Sequence, residues 1–225
     1  MSISILRQIP LFAELDYDEL VKLASCLQTE KFKKDTSVVL ETDEGSTLFI
    51  IKKGQVKISR GSNSGREVIL AILGEGDFFG EMSLLDGLSR SANVITLTDS
   101  ELLLLHRDDF LLFIEKNPQI AISLLKELAL RLRKSDSQIK SLSLFDATGR
   151  VAAALIHFAE DRGIIKDGVV QLKGLPSQRD LANMAGTSRE TISRVLNRFI
   201  EEGIVTKSKG GYLINNYEQF KEKYG

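Results

Sequence analysis

Glu81, Arg90 and Ser91 make chemical sense together only if something anionic sits between them. They lie in the run Gly76-Asp77-Phe78-Phe79-Gly80-Glu81-Met82-Ser83-Leu84-Leu85-Asp86-Gly87-Leu88-Ser89-Arg90-Ser91-Ala92. Gly80, ahead of a short helical turn, lets the backbone approach a ligand closely, and the first amides of that turn are free to face an anion. Arg90 and Ser91, expected on the strand that follows, add a cation and a hydroxyl. An ionised Glu81 accepts hydrogen bonds only, so it must face a donor, and a sugar hydroxyl supplies one. Phosphate and ribose side by side read as a nucleotide, and so compact a cradle suits a cyclic one. A plainer reading of the same residues leaves Glu81 capping a turn and Arg90 answering a surface carboxylate.

The flanking chain must hold this cradle. Asp16 is expected to open the first helix, with Glu19 closing a capping box and Leu20, Leu23, Ala24 and Leu27 at helical spacing. Between residues 37 and 105 short strands are expected, among them 38–41, 48–51, 55–59, 67–73 and 92–96. Turn signals separate them at Asp43-Glu44-Gly45, Lys53-Gly54, Ser62-Asn63-Ser64-Gly65 and Gly74-Glu75-Gly76. Such a pattern predicts a rolled antiparallel sheet with the ligand inside it.

From Pro118 to about Leu144 neither glycine nor a further proline interrupts a helical pattern. Leu125, Leu128, Leu132, Ser135, Ile139 and Leu142 alternate by three and four, a heptad seam of the kind that pairs two parallel helices. Asp146 then caps another helix. Ser177 with Asp180 and Thr187 with Glu190 read as two capping boxes around Gly186, hence helix, tight turn, helix. In the second of these helices Ile192, Val195, Leu196 and Phe199 form a buried stripe, while Glu190, Arg194 and Asn197 face away, with Arg189 at the flank. Gly203 ends it, and a hairpin around Ser208-Lys209-Gly210-Gly211 makes a wing carrying Lys207 and Lys209.

Phe79-Gly80-Glu81, followed by Asp86-Gly87-x-x-Arg90-Ser91-Ala92, resembles the phosphate-binding cassette of the cyclic AMP receptor protein (CRP/FNR) family of bacterial transcription regulators. The segment Thr187-Ser188-Arg189-Glu190-Thr191-Ile192-Ser193-Arg194 resembles that family's recognition helix. The resemblance spans about the whole chain. It implies an α+β fold: an N-terminal antiparallel β-roll (1–116), a dimerisation helix and hinge (117–146) and a C-terminal winged helix-turn-helix (147–225). By it, Glu81 accepts from the ribose, Arg90 pairs the cyclic phosphate, and Ser91 with amides near Gly80 and Ala92 completes the cradle. Arg131 matches an arginine that neutralises Glu81, and Ser135 and Asp136 occupy two positions that touch the base. Ser135 fits and Asp136 departs. As an acceptor-only group it favours guanine if turned inward, and if turned outward it pairs with Lys140 four residues on. Cyclic AMP is the expected effector, with cyclic GMP or a cyclic dinucleotide as the rival. The expected partners are a second copy of the chain, RNA polymerase, and double-stranded DNA with palindromic TGTGA-like half-sites whose bases Arg189, Glu190 and Arg194 read, with Ser188, Lys207 and Lys209 as further DNA-binding residues.

Composition narrows the alternatives. The net charge of −1 conceals an asymmetry: residues 147–225 hold 12 Lys+Arg against 9 Asp+Glu, and residues 1–146 hold 18 against 22. A basic C-terminal part suits a nucleic-acid module. Uninterrupted apolar runs reach only six residues, at 68–73 and 151–156, far below the roughly 18 of a membrane span. Without a secretory signal pattern at Met1-Ser2-Ile3-Ser4, and with Cys26 as the one cysteine, a reduced cytoplasmic protein is expected. An enzyme with a regulatory nucleotide domain would need a catalytic module, yet the 79 residues after the hinge are filled by the winged helix. A haem or redox sensor would have to use His106 or His157, both better explained as structural.

Overall fold

The computed structural model describes residues 3–62 and 65–225, so Asn63 and Ser64 of the expected 62–65 turn, and Met1 and Ser2, lie outside the described residues. The chain divides into two compact units, one up to Leu132 and one from Arg133. The first begins with α1 (Ile3–Arg7), a 3-10 turn at Pro10–Phe12 and α2 (Tyr17–Cys26). Asp16 and Glu19 form the expected reciprocal cap, but on the second helix. The short apolar α1 precedes it and packs Leu6 into the core. Cys26 is half-buried against that core.

Eight strands follow: β1 (Gln28–Phe32), β2 (Ser37–Val39), β3 (Thr47–Lys53), β4 (Gln55–Gly61), β5 (Glu67–Gly74), β6 (Phe78–Phe79), β7 (Asn93–Thr96) and β8 (Ser100–His106). They form two four-stranded sheets, ordered β1-β8-β3-β6 and β2-β7-β4-β5, with every pairing antiparallel. β7 alternates half-buried and buried residues, as one face of a two-sheet roll does, while β3, with Leu48 to Ile51 all buried, runs through the core. Phe49 and Phe79 stack at 4.9 Å between ring centres, which pins β6 beside β3 directly ahead of the cradle. Between β6 and β7 lies α3 (Glu81–Asp86), and after β8 come α4 (Arg107–Lys116) and the 27-residue α5 (Pro118–Leu144). Arg90 and Ser91 sit in the loop before β7 rather than on a strand, because Arg90 pairs its backbone with residues 42 and 43 instead of with a ladder.

In the second unit α6 (Ala147–Arg162) starts at Asp146, whose carboxylate accepts from the Gly149 amide at 2.7 Å. Then come β9 (Ile164–Lys166), β10 (Val169–Lys173), α7 (Gln178–Met184), α8 (Arg189–Glu201), β11 (Val205–Ser208), β12 (Gly211–Ile214) and α9 (Tyr217–Tyr224). The wing is therefore half of a four-stranded sheet ordered β11-β12-β10-β9. Its second hairpin turns at Asp167-Gly168, both with positive φ, a strong two-residue hairpin signal. Val151, Leu155, Phe158, Ile192, Val195, Leu196 and Phe199 share one core with Val170, Leu172 and Phe220. No helix among the described residues is long and apolar enough to cross a membrane.

Candidate functional site

The cradle is built around two buried charges with unfinished business. Gly80 holds φ at 88° to turn the chain from β6 into α3. A Cβ there would stand 2.9 Å from the Thr47 carbonyl oxygen, so only glycine allows the approach. That turn buries Glu81, 4% exposed, at the start of α3. Its Oε1 accepts from Arg131 Nη1 at 3.1 Å, whereas Oε2 is buried with no hydrogen-bond partner. A buried carboxylate oxygen left without a donor is costly, so the site fits a ligand that brings a hydroxyl.

Arg90, 7% exposed, is the complementary case. Its Nη1 donates to the Gly80 carbonyl at 2.9 Å and to Ser83 Oγ at 2.9 Å, and its Nη2 donates to the Thr47 carbonyl at 2.8 Å. All three acceptors are neutral. Burial lowers the Arg90 pKa, more than Glu81 and then Asp43 raise it. A buried cation with neutral partners and donors to spare fits an anion.

Arg131 on α5 spans Glu81, the Phe78 carbonyl at 2.7 Å and the Phe78 ring at 4.6 Å, as well as Glu127 one turn back. The structure thus brings Gly80, Glu81, Arg90 and Arg131 together. Ala92 is buried beside them in sequence, while Ser91 is exposed with its hydroxyl 3.6 Å from Met82 Sδ. Ser135 and Asp136 belong to the second unit and are exposed. The pairing of Asp136 with Lys140 is not formed: Lys140 Nζ reaches instead toward the Gly225 carbonyl at 3.5 Å and over the Phe145 ring. Ser83 escaped the reading of the sequence, since a serine inside a short helix carries no pattern that marks it as an arginine's partner.

The second unit carries a helix-turn-helix. Gly186 takes φ 56° to end α7, and the Thr187 amide donates back to Ala182 at 3.0 Å. That use of Thr187 moves the cap of α8 one residue on. Ser188, in extended conformation, accepts from the Thr191 amide at 3.1 Å, so Thr187 is not the capping residue. Glu190 is held below the usual carboxylate range first by its own backbone amide and then by the Ser188 hydroxyl. Arg189, Glu190 and Arg194 are all exposed, and with Gln178, Ser193 and Asn197 they line one concave surface. Lys207 and Lys209 stand on and beside β11 of the wing, at its hairpin.

Residues 29–117 match the family described as the cyclic nucleotide-binding domain, and residues 149–223 match the Crp-like helix-turn-helix domain. The chain belongs to the CRP/FNR family of transcription regulators. The cyclic AMP receptor protein of Thermus thermophilus is 38% identical over 201 residues, 89% of this chain and 90% of that relative. A CRP-like cAMP-activated global transcriptional regulator of Mycobacterium tuberculosis is 31% identical over 219 residues, 97% of this chain and 98% of that one. The solved Thermus thermophilus catabolite activator protein aligns with TM-score 0.55 at 36% identity, covering 95% of this chain and 97% of that one. As a CRP/FNR regulator, the chain is a cyclic-nucleotide-binding protein with a DNA-binding helix-turn-helix, in a family whose members are not enzymes.

The CRP/FNR assignment also gives the α5 surface a context. Of the heptad positions, Leu128 packs half-buried on its own unit's core. Leu125, Leu132 and Ile139 are 65%, 64% and 61% exposed, and Leu142 is also exposed. A row of large apolar side chains left to solvent along one helix is what a second helix would cover.

Proposed function

We propose that this chain works as a homodimer, paired through the 117–146 helix, that binds cyclic AMP in the β-roll (1–116) and DNA through the winged helix (147–225). The observation that carries the effector reading is the pair of buried charges: Glu81 Oε2 without a donor, and Arg90 with neutral partners only. A cyclic nucleotide answers both at once, its ribose hydroxyl donating to Glu81 and its phosphate meeting Arg90, with Ser91 and the amides near Gly80 and Ala92 as further contacts. Arg131 joins that carboxylate to α5, so ligand binding biases the seam helix and, through it, the recognition helices. Relatives named as a cyclic AMP receptor protein and as a cAMP-activated regulator support this choice.

Asp136 supports a second reading. It stands beside Ser135 on the seam helix as an exposed, acceptor-only group, and a carboxylate at a base-facing position matches the two donors of guanine. Cyclic GMP or a cyclic dinucleotide is the effector on that reading.

On DNA, Arg189 and Arg194 suit the two major-groove acceptors of guanine and Glu190 the amino group of cytosine, with Ser188 at the backbone of the site. A two-fold dimer sets half-sites about 10–10.5 base pairs apart, so palindromic TGTGA-like sites are the targets, with RNA polymerase as the partner that reads the bound dimer. Titration calorimetry with cyclic AMP, cyclic GMP and cyclic di-GMP, each followed by a DNA-binding assay, tests the proposal. Binding of cyclic AMP that raises DNA affinity is expected, and binding of only a guanine nucleotide would transfer the assignment to the second reading.

A further inference from the structure

Arg90 is gripped from two sides by residues that no reading of the cassette assigns. From α3, Ser83 is 3% exposed, and its hydroxyl accepts from Arg90 Nη1 at 2.9 Å while reaching the Gly80 carbonyl at 3.3 Å. From the turn at residues 40–45, the Asp43 carbonyl accepts from the Arg90 amide at 2.9 Å and the Thr42 amide donates to the Arg90 carbonyl at 3.1 Å. That turn is strained. Thr42 holds φ at 80°, a conformation a β-branched residue avoids unless its surroundings impose it. Asp43 secures the bend by accepting from the Leu40 amide at 3.1 Å. Gly45 ends the turn against the arginine itself: a Cβ there would lie 2.7 Å from Arg90 Nε and would collide with Ser83 Oγ.

We infer that Ser83 and the turn at residues 40–45 are positioning elements that set the Arg90 guanidinium in the cradle before any ligand arrives. This rests on the reading that Arg90 meets the ligand's anion. The strain at Thr42 has a use on this account, because it brings two backbone groups onto Arg90 that no extended strand would place there. Ser83 and Gly45 then fix the side chain: the hydroxyl fills one donor, and the missing side chain leaves room for the rest. A guanidinium held this way spends less entropy on meeting an anion than a free one does. Because the grip acts on the part of the ligand common to all cyclic nucleotides, it governs affinity and leaves base preference alone.

Calorimetry on Ser83→Ala and Gly45→Ala, with cyclic AMP and cyclic GMP as probes, tests the inference together with Arg90→Lys as a background. Ser83→Ala is expected to weaken both nucleotides by the same factor, roughly tenfold for one lost charge-assisted hydrogen bond, and Gly45→Ala, whose methyl would push on Arg90 and Ser83, should likewise weaken both alike. In the Arg90→Lys background Ser83→Ala should cost nothing further, since a lysine cannot hold the same three oxygens. Side-chain ¹⁵N spectra of the ligand-free protein give a second readout. Arg90 should show slowed guanidinium rotation in the wild type, and averaged signals in Ser83→Ala even if Gly45→Ala fails to fold. Averaged Arg90 signals in the wild type would overturn the inference, as would an equal Ser83→Ala penalty in both backgrounds. A wild type that binds neither nucleotide yet keeps slow Arg90 rotation would remove the effector assignment while upholding the grip.

Discussion

Arg90 and Arg194 are the same side chain in opposite settings. Arg90 is 7% exposed and bonded to three protein oxygens, whereas Arg194 is exposed on α8 beside Glu190 and Asn197. A small ligand offers few contacts, so a site that binds it must be arranged beforehand, with desolvation already met by folding. A DNA groove offers many contacts, and its phosphates supply most of the affinity. Readers of base edges can therefore stay solvated and mobile until they dock. The difference teaches where each kind of site is vulnerable: one in its supports, the other in its tips.

Arg90→Leu should produce the largest effect. It removes a charge-assisted contact of roughly 1.5–3 kcal/mol and leaves a phosphate buried without a counter-charge, so nucleotide binding should vanish in calorimetry while circular dichroism still reports a folded protein. Unchanged affinity in a folded variant would break the comparison at its buried end. Ile139→Asp comes next: a carboxylate on the exposed apolar row of α5 should weaken dimerisation by at least about tenfold, read by sedimentation velocity, without disturbing the fold of either unit. Arg194→Ala should cost on the order of 1–3 kcal/mol on the selected DNA site and relax discrimination at one guanine, whereas Lys207→Ala should weaken all sequences alike. Selection from a random DNA library separates the two.

The smallest effect concerns acid. His157 on α6 lies 3.4 Å from Ser137 Oγ and 3.9 Å from Glu160, with the Lys134–Asp161 ion pair beside it at 2.5 Å and Lys221 bound to Glu160. Burial lowers its pKa below the ordinary 6.5, outweighing the upward pull of Glu160 and Asp161, and Lys134 adds to the lowering. The folded protein therefore takes up this proton later than the unfolded chain does. Its contribution to stability is complete above about pH 6.5 and is lost as the pH falls through the folded value. Thermal melts from pH 7.5 to 5 should show that loss in the wild type and a shallower one in His157→Gln.

Much of this was legible in the sequence because it rests on local chemistry. Pro118 and the unbroken heptad pattern set the bounds of α5, Asp16 and Asp146 marked real caps, and the stripe from Ile192 to Phe199 is buried. Some of the misses came from contacts that local pattern does not encode, others from local signals passed over. The cap moved from Thr187 to Ser188 because closing α7 had already used the Thr187 amide. The β9–β10 hairpin was overlooked although Asp167-Gly168 announces it, and α9 although Asn216 caps it by accepting from the Gln219 amide. In the cradle, Gly80, Glu81 and Arg90 stood out by type and spacing, while Ser83, Thr42 and Gly45 matter only through the fold that brings residues 42–45 against residue 90.

The central claim is that the buried, donorless oxygen of Glu81 and the neutral-bonded Arg90 await one ligand with a ribose hydroxyl and a cyclic phosphate. Titration of the wild-type protein with cyclic AMP and with its 2′-deoxy analogue tests this most directly, since the two differ only in the hydroxyl that Glu81 Oε2 would accept. The account predicts binding of cyclic AMP at micromolar concentration or below, and affinity for the deoxy analogue weaker by about tenfold or more. Equal affinity for both, or binding of neither, would contradict it.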